Sequence, residues 1–252
     1  MKSLIRQLIR RLGFDIVRYY PSAFERAQAI DNRREGSKIL KLLTLHEIDL
    51  VLDVGANIGQ YAKGLFQIGY QGKIISFEPL SSAHAQLFLS SRNYPNWEVA
   101  ERGAIGHANG EVEIHISGNS ESSSLLNILP AHVNAARKSA YVDSEVVRIF
   151  RLDELIGHRL ADFRAPFLKI DTQGYEDRVL QGASGILPQI KGLYLEMSLM
   201  PLYEDQILFE EMLRTVNQMG FSLYDLVPGF FDYRTGRLLQ VMGTFFRHRE
   251  DS

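Results

Sequence analysis

The residues Asp53, Gly55 and Gly59 follow one another at short spacing, at the end of an apolar run over 50–54. A short apolar run predicts a buried strand, and the glycines predict a tight turn from that strand into a helix. Because glycine has no Cβ atom, a ligand can lie close to the backbone of such a turn. The start of the following helix adds free amide hydrogens and the positive end of its dipole. The pattern therefore predicts a ligand-binding turn at the carboxyl end of this strand.

A second acid, Glu78, ends the next predicted strand, 73–78, and an acid in this position typically binds ribose hydroxyls. The two segments together predict a cofactor that contains a nucleoside. A nicotinamide site would normally show the pattern G-x-G-x-x-G, but Asn57 stands in place of the middle glycine. The carboxylate of Asp53 would repel a pyrophosphate, whereas it suits the cationic, amino-bearing end of S-adenosylmethionine. We therefore expect S-adenosylmethionine as the cofactor, with a nicotinamide-dependent oxidoreductase as the alternative.

Two further acids end predicted strands and are candidates for the base of a methyl-transfer reaction. Asp171 ends the strand 167–171, and Glu196 lies near the end of the strand 193–197. The reaction needs an acceptor oxygen in line with the methyl carbon, and a base that takes the hydroxyl proton adds about 10²–10⁴-fold to the rate. We therefore predict that Asp171 and Glu196 are catalytic. Lys169 shares a strand face with Asp171 and is predicted to belong to the catalytic site, where it could bind substrate or pair with an acid; an ion pair with only a structural role is the alternative.

Each of these acids also has a structural alternative. Asp171 could cap the helix that follows near Gly174, because Asp is a favoured N-cap residue. Glu196 could be a buried acid that forms hydrogen bonds and takes no part in chemistry. Together the two could hold a metal through oxygen ligands, but we expect none. The seven histidines include no pair at the i, i+4 spacing of a helical zinc site.

Strands and helices alternate from residue 49 onward, which predicts a mostly parallel, three-layer α/β sheet. Segments 230–233 and 238–246 flank the turn 234–237 and predict a hairpin, hence an antiparallel sheet edge. Ser81 is predicted to cap its helix. The other predicted strands are 97–100, 111–117, 146–151 and 221–227, and the predicted helices are 58–68, 81–92, 152–156, 174–183 and 209–219.

The segment 118–144 is a long connection rich in Ser, Asn and Ala, with a weak helical pattern around 130–140. Long connections in compact domains often form lids or binding loops. Ser123 and Ser124 are therefore predicted to contact cofactor or substrate, and a flexible serine-rich loop is the alternative.

Residues 2–12 show a helical pattern with apolar residues on one arc and basic residues on another. A basic amphipathic helix can lie on an anionic membrane surface, and the alternative is a helix that packs on the domain. We predict an N-terminal helical extension over 1–47 and a cofactor-binding domain over 48–252.

The bulk composition excludes several kinds of protein. The net charge of −2 gives no general attraction to nucleic acid, and the absence of cysteine excludes disulfides, thiolate metal sites and thiol nucleophiles. The sequence contains no apolar run of about 18 residues, so no membrane span is predicted. We expect a cytoplasmic protein that contacts the inner face of the membrane, if at all, through residues 2–12. The oligomeric state is not predicted.

Over about residues 48–247, the sequence resembles the FkbM family of S-adenosylmethionine-dependent methyltransferases. The family pattern is close to L-K-I-D-V-E-G-x-E, and this chain departs from it at Gln173, where the family more often has Glu. Asp171 and Glu176 match the pattern. The stretches that carry the resemblance are Val51–Gln60, Ile75–Pro79, Gly103–Gly106, Ser122–Leu125, Arg151–Leu155 and Phe167–Glu176.

The resemblance implies a Rossmann-like class I methyltransferase sheet of seven strands and methyl transfer to oxygen. The segment Glu196–Tyr203 is similar to segments in enzymes of glycan or surface-polysaccharide modification, so a saccharide hydroxyl is the expected acceptor. No Asn-Pro-Pro-Tyr-like segment follows the strand of Asp171, which argues against a nucleic-acid acceptor. A non-catalytic member that binds a partner is a further alternative. The candidate cofactor-binding residues are Asp53, Gly55, Asn57, Gly59, Gln60, Tyr61, Glu78, Pro79, Ala104, Ile105, Ser124 and Asp171.

Overall fold

The strands that carry the fold are short segments with apolar side chains on both faces, as a sheet covered by helices on each side requires. The computed structural model describes residues 36 and 38–247. Contacts divide the chain between Lys38 and Ile39, and the elements below belong to the second unit. The predicted boundary between residues 47 and 48 stays a prediction, and the helix predicted over 2–12 lies outside the described residues.

The elements of this unit alternate along the chain as expected. The strands are β1 (Leu50–Val54), β2 (Lys73–Phe77), β3 (Trp97–Val99), β4 (Ala104–Ile105), β5 (Gly110–Ser117), β6 (Tyr141–Phe150), β7 (Pro166–Ile170), β8 (Gly192–Ser198), β9 (Phe221–Pro228), β10 (Phe231–Asp232), β11 (Arg237–Leu238) and β12 (Gln240–Arg247). The helices are α1 (39–45 in this unit), α2 (Gln60–Gln67), α3 (Ser81–Ser91), α4 (Pro130–Ala135), α5 (Leu152–Ile156), α6 (Glu176–Gly182) and α7 (Phe209–Gln218).

Seven strands form the main sheet in the order β3-β2-β1-β7-β8-β12-β9. The first five strands in this order pair in parallel, and β12 pairs antiparallel with both β8 and β9. The predicted seven-stranded, mostly parallel sheet with an antiparallel C-terminal part is therefore confirmed. Strands β4, β6 and β5 form a second, three-stranded sheet.

The C-terminal hairpin differs from the prediction in one respect. The segment 238–246 is not one strand, because the chain leaves strand geometry at Leu239, whose side chain is buried. Strands β10 and β11 pair with each other as a small hairpin. Strand β12 continues instead into the main sheet, where it lies between β8 and β9 rather than at the edge.

Three element starts also differ from the predictions. Helices α2 and α6 begin two residues late, because Gly59 (φ 87°) and Gly174 (φ 96°) before them have left-handed backbone. Strand β6 begins at Tyr141 rather than 146, because it pairs with β5 as far as Ser117.

The predicted cap of α3 is wrong. Leu80 occupies the N-cap position, and no side chain caps the helix there. The amide hydrogen of Ser81 is donated instead to Glu145 on β6, at 2.8 Å.

The two faces of the sheet are covered by separate hydrophobic clusters, which makes the three predicted layers. The larger cluster joins alternate strand residues to α5, α6 and α7. The second cluster joins the intervening residues, among them Val51, Ile74 and Phe167, to α1 and α2. Among the described residues, no helix is both long enough and apolar enough to cross a bilayer.

The turn after β1 fits against β7 so closely that Gly55 accepts no side chain. A Cβ atom there would lie 1.8 Å from the carbonyl oxygen of Asp171, and φ is +75°. We expect Gly55→Ala to lower the free energy of unfolding by on the order of 4 kcal/mol. The matched control is Gly64→Ala in α2, where a Cβ atom meets nothing within 4 Å. This variant should gain about 1 kcal/mol from helix propensity. Urea unfolding measures both, and equal midpoints for the two variants would contradict this packing.

Candidate functional site

A row of polar side chains crosses the carboxyl edge of the sheet, because the strand register places them side by side. Asp53 on β1 pairs in register with Ser76 on β2 and with Lys169 on β7. The indole nitrogen of Trp97 donates to Ser76 Oγ at 2.9 Å, and Ser76 Oγ donates to Asp53 Oδ2 at 3.0 Å. Asp53 Oδ1 lies 3.1 Å from Lys169 Nζ. One chain of contacts therefore joins four neighbouring strands.

The Asp53–Lys169 ion pair is removed from solvent, with side-chain exposures of 0% and 4%. Lys169 Nζ also donates to the carbonyl oxygen of Gly55 at 2.8 Å and lies 3.7 Å from Asp171 Oδ2. Burial alone would lower the pKa of Lys169, but the charges of Asp53 and Asp171 raise it above its usual value. These contacts agree with the acid-pairing alternative for Lys169. They also engage Asp53, the acid that the sequence places beside the cofactor.

The two predicted catalytic acids meet through an amide. Gln173 Nε2 donates to Asp171 Oδ1 at 2.9 Å and to Glu196 Oε2 at 2.6 Å. The side chain of Asp171 is 33% exposed, so it is open to solvent at the sheet edge. Burial, together with the charges of Asp171 and Glu176, raises the pKa of Glu196 well above its usual value. The structure thus brings the two acids together, one accessible and one with raised proton affinity.

The turn between β7 and α6 is held by Glu176 rather than by Asp171. The carboxylate of Glu176 accepts from the amide hydrogens of Thr172 at 2.8 Å and Gly174 at 3.0 Å. Burial raises the pKa of Glu176 to about 7. Helix α6 has no side-chain cap at its N-cap residue. The alternative that Asp171 caps this helix is therefore wrong.

Glu78 joins the end of β2 to the glycine turn. Its Oε2 accepts from the amide hydrogen of Asn57 at 2.7 Å, and its Oε1 accepts from that of Leu80 at 2.9 Å. Burial raises the pKa of Glu78 to about 7, against the opposing effect of these two hydrogen bonds. The acid predicted to bind ribose thus also sets the position of the turn.

The pKa of Glu78 predicts a pH dependence of stability. Between its ordinary value of 4.5 and about 7, the folded state keeps a proton that the unfolded state releases. The contribution of Glu78 to stability therefore falls as the pH rises through this range. Relative to Glu78→Gln, we expect the wild type to lose up to about 3 kcal/mol between pH 5 and 8. Urea unfolding at the two pH values measures this, and a constant difference would contradict it.

The two glycines of the turn have structural reasons to be glycine. The position beside Gly55 is filled by the carbonyl of Asp171, and a Cβ atom on Gly59 would lie 2.4 Å from the ring of Trp97. The sequence predicts that a ligand lies beside the Cα atoms of these glycines, but Asp171 and Trp97 fill that space. The binding role of both residues stays a prediction.

Asn57 and Gln60 connect the turn to the long segment after β5. Asn57 Nδ2 donates to Ser120 Oγ at 3.2 Å, and Gln60 Nε2 donates to Glu121 Oε1 at 3.0 Å. Tyr61 stacks on Tyr194, with ring centroids 5.5 Å apart. Its ring lies 5.7 Å from Lys169 Nζ. These predicted cofactor residues therefore surround the same sheet edge as the acids.

The remaining predicted cofactor residues have mainly structural contacts. Ser124 is buried and donates to the carbonyl oxygen of Gln173 at 2.7 Å. The carbonyl of Pro79 accepts from Arg102 at 3.2 Å. Ala104 and Ile105 form β4 of the smaller sheet and are buried in the larger core cluster.

The long segment after β5 is fixed to the segment after β8. The amide of Leu129 donates to the carbonyl of Leu202 at 2.9 Å, and that of Glu204 donates to the carbonyl of Asn127 at 2.9 Å. Ser123 Oγ accepts from the amide of Ser117 at 3.0 Å. These bonds give the segment a defined conformation beside the acids.

Some residues of the site carry a sequence signal and others do not. Gln173 is visible as the departure from the family pattern, although its bridging contacts are not. Ser76 and Trp97 look like ordinary strand residues, and their contact with Asp53 follows from the register. Within the part of the chain that the structure describes, no group of three His, Asp or Glu side chains has the arrangement of a metal site.

Comparison with known proteins identifies the class and then the family. The sheet order and the glycine turn after β1 define an α/β protein with a mostly parallel sheet and acids at its carboxyl edge. The family model described as "Methyltransferase FkbM domain" matches residues 53–223, more than half of the chain. The chain belongs to the FkbM methyltransferase family, as the sequence resemblance predicts, and its class of reaction is methyl transfer. This excludes the nicotinamide alternative.

Solved structures with a similar fold have low identity to this chain. A magnesium protoporphyrin IX methyltransferase from Synechocystis PCC 6803 is 11% identical, with 98% of this chain and 97% of that chain covered and a TM-score of 0.47. A putative S-adenosylmethionine-dependent methyltransferase from Listeria monocytogenes is 9% identical, with 85% and 98% covered and a TM-score of 0.47. One from Aquifex aeolicus is 14% identical, with 84% and 89% covered and a TM-score of 0.43. No curated protein matches the chain.

Proposed function

We propose that this protein is an S-adenosylmethionine-dependent O-methyltransferase whose acceptor is a saccharide hydroxyl. The observation that carries the proposal is the pair Asp171 and Glu196, joined by Gln173 at the carboxyl edge of the sheet. A hydroxyl is a poor nucleophile, so its methylation benefits from a base in this position. The raised pKa of Glu196 increases its affinity for a proton, as the group that accepts the hydroxyl proton requires.

The charges of the edge fit a cationic methyl donor. Five acids lie along it, and Lys169 forms ion pairs with two of them, Asp53 and Asp171. When bound, S-adenosylmethionine supplies a methyl carbon activated by a positively charged sulfur. An edge lined by carboxyl groups, with Asp171 open to solvent, favours such a cation and disfavours a phosphate backbone, so we propose no nucleic-acid acceptor. The five acids are Asp53, Glu78, Asp171, Glu176 and Glu196.

The residues of this chain divide the remaining tasks. Glu78, fixed by Asn57 and Leu80, accepts hydrogen bonds from ribose hydroxyls through its remaining lone pairs. Glu196 or Asp171 takes the proton of the acceptor hydroxyl. The new bond joins that oxygen to the methyl carbon, while the carbon–sulfur bond breaks and the sulfur keeps its electron pair. Lys169 holds Asp53 and the turn at Gly55 in place.

The saccharide acceptor is supported by the resemblance of the segment Glu196–Tyr203 to segments in glycan-modifying enzymes. The experiment has two parts, calorimetry with S-adenosylmethionine and incubation of the protein with methyl-labelled donor and a cell extract. We expect binding, and label in the free or lipid-linked saccharide fractions. If the donor binds but label appears in another fraction, the acceptor is not a saccharide. If neither the donor nor its demethylated product binds, the proposal as a whole is contradicted.

A further inference from the structure

We infer that Gln173 is a positioning residue of the methyl-transfer site, whose side-chain amide holds the carboxylates of Asp171 and Glu196 at a fixed separation as hydrogen-bond acceptors. The inference rests on the proposed function. Its basis is the pair of bonds from one nitrogen, Nε2, to Asp171 Oδ1 at 2.9 Å and to Glu196 Oε2 at 2.6 Å. Both hydrogens of this nitrogen are then used, one for each acid.

A third contact fixes which way the amide points. The hydroxyl of Tyr203 donates to Gln173 Oε1 at 2.8 Å, and this tyrosine side chain is buried. Burial raises the pKa of Tyr203, so its hydroxyl stays protonated and remains a donor. The reversed amide would direct its oxygen at two carboxylates and its nitrogen at the tyrosine hydroxyl. The network therefore selects the orientation in which Gln173 donates to the acids.

The backbone of Gln173 is held as firmly as its side chain. Its φ of 56° lies in the left-handed region, which is unfavourable for a residue other than glycine. Its carbonyl accepts from Ser124 Oγ at 2.7 Å, and Glu176 holds the residues on either side. Such strain is retained where surrounding contacts fix it, and it is common at functional sites.

The amide acts on the acids through their charge. An amide hydrogen stabilises an ionised carboxylate more than a protonated one, so the bridge favours the ionised form of an acid that accepts from it and lets two acids stand close together. The other groups that face the pair are Lys169 with its partner Asp53, the acid Glu176 on α6, Tyr203, and the amide of Gln240 on β12. Lys169 favours ionisation of Glu196, and Glu176 opposes it.

The experiment compares variants of Gln173 over a range of pH. Gln173→Met has similar length but no donor, and the hydroxyl of Tyr203 keeps the carbonyl of Ser122 as an acceptor at 3.1 Å. Without the amide the folded-state pKa of Glu196 rises further, so the variant loses more stability than the wild type as the pH increases. A one-unit rise should make the difference in melting temperature between variant and wild type about 3–5 °C larger at high pH than at low pH. Gln173→Glu, which brings a third carboxyl group, should widen it further.

The control is Gln181→Met, at an exposed position on α6. The difference in melting temperature between this variant and the wild type should be independent of pH. A constant difference for Gln173→Met would show a packing role and overturn the inference. The pH profile of label transfer tests the link to the reaction, because its acid limb should move to higher pH in Gln173→Met. A difference in melting temperature that grows with pH, together with an unchanged acid limb of the activity profile, would also overturn the inference. Calorimetry on the wild type is separate: absence of donor binding contradicts the proposed function itself, and the role in methyl transfer falls with it.

Discussion

Replacing Glu196 by glutamine will lower the rate of methyl transfer by about 10²–10⁴-fold and leave donor affinity nearly unchanged. Glutamine has the same shape and can still accept from Gln173, so the loss isolates the proton-accepting carboxylate. Asp171→Asn tests the second acid in the same way. Because Asp171 is one-third exposed at the sheet edge and lies 3.7 Å from Lys169, its loss should also weaken donor binding. Single-turnover label transfer and calorimetry separate the two effects.

Glu210→Gln provides the matched control, because this acid is exposed in the first turn of α7. Its rate should equal that of the wild type. If Asp171→Asn and Glu196→Gln both transfer label at the normal rate, the assignment of the base to this pair is wrong.

Replacing Lys169 by methionine will destabilise the fold by about 3–5 kcal/mol, because it leaves the carboxylate of Asp53 buried without its partner. For a chain of this size the melting temperature should fall by about 6–20 °C. The double variant Asp53→Asn, Lys169→Met removes both charges and should recover part of the loss. A double variant less stable than Lys169→Met alone would contradict the burial of an uncompensated charge as the cause.

The matched control for this prediction is Lys73→Met on β2. Lys73 pairs with Glu98 at 2.7 Å, but both side chains are about one-third exposed, and Glu98 keeps Arg159 as a partner. Exposed ion pairs contribute little, so we expect a loss below about 1 kcal/mol. Thermal unfolding of the two lysine variants side by side provides the comparison.

The sequence pattern predicts the sheet because its strands are short apolar runs between turn residues, and their alternation with helices leaves few arrangements. It also predicts that Asp53, Glu78, Asp171 and Glu196 share one edge, since parallel strands end together. What the pattern does not contain is the distance between side chains. The ion pair between Asp53 and Lys169 depends on the register of β1 against β7, two segments more than 100 residues apart in the sequence.

Gln173 also shows that side-chain contacts cannot be predicted from the sequence pattern. The departure from the family pattern marks this residue, but its partners come from three segments that meet through tertiary structure. The position of β12 is likewise set by pairing with β8 and β9, which a local hairpin signal cannot describe. Local backbone chemistry accounts for the late helix starts, because left-handed residues before α2 and α6 delay them.

The placement of β12 between β8 and β9 determines the order in which a ribosome can complete this sheet. Until residues 240–247 leave the exit tunnel, β9 has no neighbour and β8, which carries Glu196, presents a bare hydrogen-bonding edge. A nascent chain therefore holds an unpaired strand until residues 240–247 emerge, a state open to chaperone capture or to pairing with another chain.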